Sequence, residues 1–228
     1  MDLTFLVRSL AEQAVPEPGT GRLRVPTERE LGASLEVSRG SLREQLSTLE
    51  MLGFLDRTQG RGSYLQVPDA GFLQMYFDLS RQLGQLTHAQ FSSAREMLEI
   101  SVAEAAAGLA TSKDVAELRE LVDEMVRSDE AGDDHRALEA DLEFHRRLFT
   151  VVDNPIYTIL REGLAHVLRG SVVERRRLAA ERETRTAGTT RPSDAVHYEI
   201  VDALAAGDAA AAGDAMRRHF VVWRSAVE

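Results

Sequence analysis

The stretch from Pro26 to Val67 places two helix starts, a helix stop and a tight turn in immediate succession, an order that few folds accommodate. Thr27, preceded by Pro26 and followed three residues later by Glu30, forms a capping box. In that motif a hydroxyl and a carboxylate satisfy the first free backbone N–H groups of a helix. This short helix is expected to end near Leu35. Ser38 then caps a second helix, whose apolar side is Leu42, Leu46, Leu49 and Leu52, and Gly53 stands where a left-handed residue closes a helix. Phe54–Thr58 and Ser63–Val67 flank Gln59-Gly60-Arg61-Gly62 and read as a β-hairpin. Upstream, Leu3, Leu6, Leu10 and Ala14 recur at helical spacing until Pro16, Pro18 and Gly19 stop them.

The first 68 residues therefore read as three helices plus a β-hairpin, and Pro68-Asp69 mark a boundary between domains at 1–68 and 69–228. Beyond it every periodic segment is helical, at roughly 70–84, 88–110, 113–130, 134–152, 155–182, 193–206 and 208–226. Gly84, Gly132, Asn154-Pro155 and Gly207-Asp208 supply the breaks, and Thr184–Pro192 is expected to be a mobile loop. The fold class is mainly α: an N-terminal winged helix-turn-helix followed by an all-α antiparallel bundle of six or seven helices.

With no cysteine, neither a disulfide framework nor a thiolate metal site is available. Neither a charged-then-apolar leader nor a run of about 18 apolar residues is present, so a cytoplasmic location and no membrane partner are expected. A net charge of -10 argues against a nonspecific nucleic-acid coat. The charge is uneven: residues 1–68 hold eight Arg, no Lys and nine acidic residues, so nearly all the excess negative charge lies in the second domain. A polyanion must meet a local patch in the first.

That patch is readable. Arg39 and Arg43 lie one turn apart on the side of their helix opposite the leucines, with Ser38 as cap and the small Gly40 and Ser41 letting the backbone come close. A helix N-terminus favours phosphate, and arginine binds guanine through two parallel hydrogen bonds. Arg29 on the preceding helix can reach a neighbouring phosphate, and Arg61 between two glycines is placed for the minor groove or backbone. The ordinary alternative, that these are solvated surface charges, is weakened for Arg39 and Arg43 by the surrounding helix order and hairpin.

The runs Val25-Pro26-Thr27-Glu28-Arg29-Glu30-Leu31, Val37-Ser38-Arg39-Gly40-Ser41-Leu42-Arg43-Glu44, Leu49-Glu50-Met51-Leu52-Gly53-Phe54-Leu55 and Gly60-Arg61-Gly62-Ser63-Tyr64 closely resemble the winged helix of the GntR family of bacterial regulators. The resemblance implies that Arg29, Arg39, Arg43 and Gly60 contact operator DNA. Two departures bear on the operator sequence: the stretched segment between Pro16 and Val25, and Gly40-Ser41 in place of the commoner threonine-proline pair.

In the acidic half, four polar residues fall on apolar helical stripes. Asp141 and His145 share a face with Leu138, Leu142, Leu148 and Val152; His197 lies with Ile200, Val201 and Leu204; His219 lies between Met216 and Trp223. An unpaired ionisable group facing a bundle interior costs several kcal/mol unless it is hydrogen-bonded or metal-bound. Three imidazoles and a carboxylate from three helices suit a divalent transition ion, while each histidine taken alone reads better as a hydrogen-bonded core residue. The pattern Asp141-x-x-x-His145 with His197 and His219 downstream resembles the ligand set of the metal-binding, FadR-like branch of the family, whose C-terminal (FCD) domain is an all-helical bundle. Arg95-x-x-Leu98-Glu99 and Gly207-Asp208 ahead of Met216-Arg217-Arg218-His219 extend the likeness. The resemblance implies an ion, zinc ahead of nickel or manganese, with a small carboxylate effector bound on or beside it. Arg95 is then a candidate to hold that carboxylate, or else an intrahelical partner of Glu99. His88, His135 and His166 read as surface residues, and Glu174-Arg175-Arg176-Arg177 as a solvated helix end.

The function expected is a ligand-responsive transcription regulator, a repressor, that binds operator DNA as a homodimer. The alternatives are a regulator that senses the ion itself and a metalloenzyme acting on a small acid. No activating Glu or nucleophile stands out for the latter, and an enzyme has no need of the first 68 residues.

Overall fold

A computed structural model describes residues 2–58, 61–182 and 190–225, with the side chains of 175, 176 and 179–182 outside the described set. The chain divides into two compact units, the first through Tyr76 and the second from Phe77.

In the first unit α1 (Leu3–Gln13), α2 (Glu28–Ser34) and α3 (Arg39–Met51) surround a core of Leu6, Leu10, Val25, Leu31, Leu42, Leu46, Leu49 and Leu55. The local signals act as expected. Thr27 and Glu30 form a complete capping box, Ser38 accepts from the Ser41 N–H, and Gly53 adopts φ +81° after α3. The hairpin pairs β3 (Leu55–Thr58) with β4 (Gly62–Leu65), Thr58 opposite Gly62.

The sheet is larger than the two-stranded hairpin read from the sequence. Two further strands, β1 (Val15–Pro16) and β2 (Leu23–Arg24), extend it to four in the order β1-β2-β4-β3. They occupy the stretched segment between Pro16 and Val25. Each has only two residues, too few to show alternation, and they pair because Gly19 and Gly21 supply two positive-φ positions for the turn. Gly60 and residues 184–189 of the expected Thr184–Pro192 loop lie outside the described residues, as do the side chains of Arg175 and Arg176.

The helix α4 (Gly71–Gln82) leads into the second unit, formed by α5 (His88–Ala107), α6 (Ser112–Ala131), α7 (Asp134–Val152), α8 (Pro155–Arg182), α9 (Pro192–Ala206) and α10 (Ala209–Ser225). The stops fall where expected: Gly132 and Gly207 close α6 and α9 in left-handed conformations, and Asp153 does so for α7. Val102, Ala103, Leu118, Met125, Phe144, Leu148, Ile200, Leu204, Ala212 and Met216 make one continuous core of α5, α6, α7, α9 and α10. No helix among the described residues is long and apolar enough to cross a membrane.

Candidate metal centre and nucleic-acid interface

Three helices bring the polar residues of the apolar stripes to one place. Helix α7 contributes Asp141 and His145, α9 His197 and α10 His219. All are withdrawn from water, at 4%, 3%, 0% and 3% exposure respectively. The same periodicity that buries Ile200, Val201 and Leu204 buries His197, because residues three, four and seven apart share a helix face. The three imidazoles each offer a nitrogen within 4.8 Å of the others. Asp141 Oδ1 lies 3.1 Å from His197 Nε2 and 3.8 Å from His145 Nε2.

Ring orientation is set from behind. His197 Nδ1 lies 3.1 Å from the Asp194 carbonyl, which can only accept, so the ring carries its proton on Nδ1 and presents a bare Nε2 to the cluster. His145 Nδ1 lies 2.8 Å from Glu99 Oε2, close but imperfectly aligned. His145 Nε2, His197 Nε2 and His219 Nδ1 are buried and make no hydrogen bond. Such groups each carry a desolvation cost of about 1–3 kcal/mol, and a divalent cation offsets it. The residues therefore fit a metal ion by donor type, burial and unsatisfied valence. Burial, with the nearby His197 and His145, holds the His219 imidazole well below its ordinary range, so it is neutral and able to donate a lone pair. The rings of Phe144, Phe220 and Trp223 stand edge-on to these histidines and exclude water, the Phe144–His197 centroids being 5.0 Å apart.

Arg95 pairs with Glu99 along α5. Its Nε donates to Glu99 Oε1 at 2.6 Å, and its side chain also lines a recess with Asp141, Val172, His219, Phe220 and Trp223. The recess is narrow, with a free volume of about 20 Å³, and opens partly to solvent. Burial would raise the Glu99 carboxyl, but Arg95 and His145 overcome it and hold the group down at about 2. Glu99 is the residue that sequence reasoning undervalued. Beyond its place in the family likeness it reads as a partner for Arg95, yet it precedes Val102 and Ala103 by three and four positions and so belongs to their buried face. His88, His135 and His166 are exposed; His166 Nε2 meets Asp78 at 2.8 Å and His88 bonds Ser171.

In the first unit Arg29, Ser38, Arg39, Gly40, Arg43 and Arg61 are exposed and Ser41 is half-buried. Leu42, Leu46 and Leu49 pin the other side of α3 to the core, which leaves the arginine side of its N-terminal turn outward. Arg43 is held in place by Glu28, with Nη2 at 3.1 Å from Oε2. The other oxygen of Glu28 receives Arg57 Nη2 from β3 at 2.5 Å, so one carboxylate ties the sheet to α2 and α3. Arg24 on the unforeseen β2, and Arg22 just before it, add cations beside the hairpin. Arg22 stacks 4.0 Å over the Tyr64 ring, and Arg24 borders Gly62 so closely that a Cβ there would lie 3.0 Å from its Nε.

An exposed-arginine helix-turn-helix with a β-wing, joined to a helical bundle that buries a histidine cluster beside a recess, defines a DNA-binding regulator with a sensor domain. Residues 90–221 match the FCD domain and residues 19–65 the bacterial regulatory proteins of the gntR family. The chain belongs to the GntR family and is a transcriptional regulator with an FCD domain. It is 28% identical to the HTH-type transcriptional regulator LutR of Bacillus subtilis over 83% of this chain and 84% of that protein. It is 29% identical to the HTH-type transcriptional repressor NanR of Salmonella newport over 95% and 82%. A solved GntR structure from Streptococcus agalactiae superposes with a TM-score of 0.64 at 25% identity, covering 98% of this chain and 97% of the other. These relatives are transcription regulators, which removes the metalloenzyme alternative.

Proposed function

We propose that the protein is a repressor whose grip on operator DNA is set by a small carboxylate bound in the recess beside a divalent ion. The ion would be held by Asp141, His145, His197 and His219. The observation that carries this reading is the set of buried, unpartnered imidazole nitrogens facing one another beside the recess. A divalent ion there, zinc ahead of nickel or manganese, would supply a positive centre with positions left for an anionic oxygen. Arg95 would hold the far side of the carboxylate through its Nη groups, since its Nε is committed to Glu99.

In the domain proposed for residues 1–68, Arg39 and Arg43 would read base edges. Arg29, Arg61 and the backbone around Ser38, Gly40, Ser41 and Gly60 would hold phosphates. The proposed unit is a homodimer, as modules of this kind read two half-sites. The exposed apolar row Phe72, Met75, Tyr76 and Leu79 on α4 supports an interface between copies. Repression follows from the likeness to the transcriptional repressor NanR, and a cytoplasmic location from DNA as target.

The test is fluorescence anisotropy on a DNA site selected from a random pool, with a panel of small organic acids, on zinc-loaded and chelated protein. At least one acid should weaken DNA binding tenfold or more, and only in the loaded protein. If no acid acts, or one acts equally after chelation, the reading is wrong. If free zinc alone switches DNA binding, the ion is itself the signal.

A further inference from the structure

We propose that Glu99 is a positioning residue of the histidine cluster, keeping the His145 proton on Nδ1 so that its Nε2 lone pair points at the ion; this rests on the metal reading above. Glu99 is 3% exposed, and each of its oxygens faces a different side chain. Oε1 takes Arg95 Nε at 2.6 Å, and Oε2 lies 2.8 Å from His145 Nδ1. An ionised carboxylate can only accept, and Glu99 at 2.8 Å from Nδ1 stands nearer than Asp141 at 3.8 Å from Nε2, so the ring proton is held on Nδ1. On the far side of the ring His145 Nε2 faces Asp141 Oδ1 at 3.8 Å, inside the cluster. His197 repeats the arrangement with a backbone carbonyl in the acceptor's place, its Nδ1 at 3.1 Å from Asp194 O and its Nε2 at 3.1 Å from Asp141 Oδ1.

Two histidines on different helices are thus turned the same way by acceptors behind them, which a set of unrelated core histidines would not require. Carboxylate behind imidazole is the arrangement that raises ligand basicity and fixes ring orientation at metal sites. Arg95 completes it by neutralising Glu99 in a place where an unpaired carboxylate would be costly. Because Arg95 also borders the recess, an anion there and the His145 ring share the Glu99–Arg95 pair as a common neighbour.

Glu99→Gln separates this role from that of a plain ion pair. With Arg95 donating to the amide oxygen, the amide nitrogen faces His145 Nδ1 and donates to it, which moves the ring proton to Nε2. The readouts are the His145 tautomer, from long-range 1H–15N correlations on metal-free protein at pH 8 with the resonance assigned by its loss in His145→Asn, and zinc affinity by competition with a chromophoric chelator. The parent should carry the proton on Nδ1, and Glu99→Gln should bind zinc about 10- to 100-fold more weakly. Should that variant fold poorly, Arg95→Met/Glu99→Met removes the pair whole and should show the same loss. A parent proton on Nε2, or zinc binding within threefold of the parent in either folded variant, overturns the assignment of Glu99 alone. A parent that binds no zinc overturns the metal reading and this inference with it.

Discussion

Replacing Asp141 with Asn tests whether the buried cluster is a metal centre or a set of core residues, because the two side chains have nearly the same shape. The carboxylate lies 3.1 Å from His197 Nε2 and 3.8 Å from His145 Nε2, so the change removes a negative donor at the heart of the cluster while leaving packing alone. An ion that binds only the native state stabilises it by about 4.1 kcal/mol when its free concentration is a thousandfold above Kd. In a unit spanning residues 77–228, each kcal/mol moves the melting temperature by about 2–4 °C. Zinc added to chelated protein should therefore raise the transition of the helical unit by roughly 8–16 °C. If Asp141→Asn weakens binding a hundredfold, the same zinc yields about 1.4 kcal/mol, or roughly 3–6 °C. Differential scanning calorimetry with buffered zinc measures both increments, each protein's metal-free melt being its own baseline. An increment below about 2 °C in the parent, or equal increments in parent and variant, would refute the reasoning.

Arg39→Ala should cost about 1–3 kcal/mol of binding to a selected DNA site if the side chain reaches a guanine. Circular dichroism should be unchanged because the residue is exposed, and parent-like binding would misplace the reading helix. Phe144 is fully buried and its ring stands against His197, so Phe144→Ala should destabilise the helical unit by about 3–5 kcal/mol in denaturant titrations. A loss under about 1 kcal/mol would contradict the packing described. Burial, aided by a 2.6 Å hydrogen bond to Asp123, pushes the Tyr198 hydroxyl up to about 12. A raised folded value means its contribution to stability is whole below the ordinary 10 and is lost as pH rises towards 12. Ultraviolet titration should show a late-ionising tyrosine that Asp123→Asn shifts downward, and an unmoved transition would reject the assignment.

Much of this molecule was legible one helical turn at a time. Thr27 with Glu30, Ser38, Gly53, Gly132 and Gly207 act through backbone groups no more than a few residues away, so their roles are written in local order. Periodicity likewise told which way side chains face: a histidine in register with Ile200 and Leu204 is buried whatever packs against it. Tertiary structure decided what those buried faces meet. Residues 99, 141, 197 and 219 come together only because α5, α7, α9 and α10 pack around one core, and nothing local to any of them states which nitrogen looks inward. The same holds for the first unit. Two-residue strands carry no alternation, so the pairing of Leu23 with Leu65 could come only from the folded sheet. The hold of Glu28 on both Arg43 and Arg57 depends on an approach of α2, α3 and β3 that spans 29 positions of sequence. Local chemistry selects the elements and the face each buries; long-range packing alone selects the partners, because contact between distant helices is settled by the shape of the whole core.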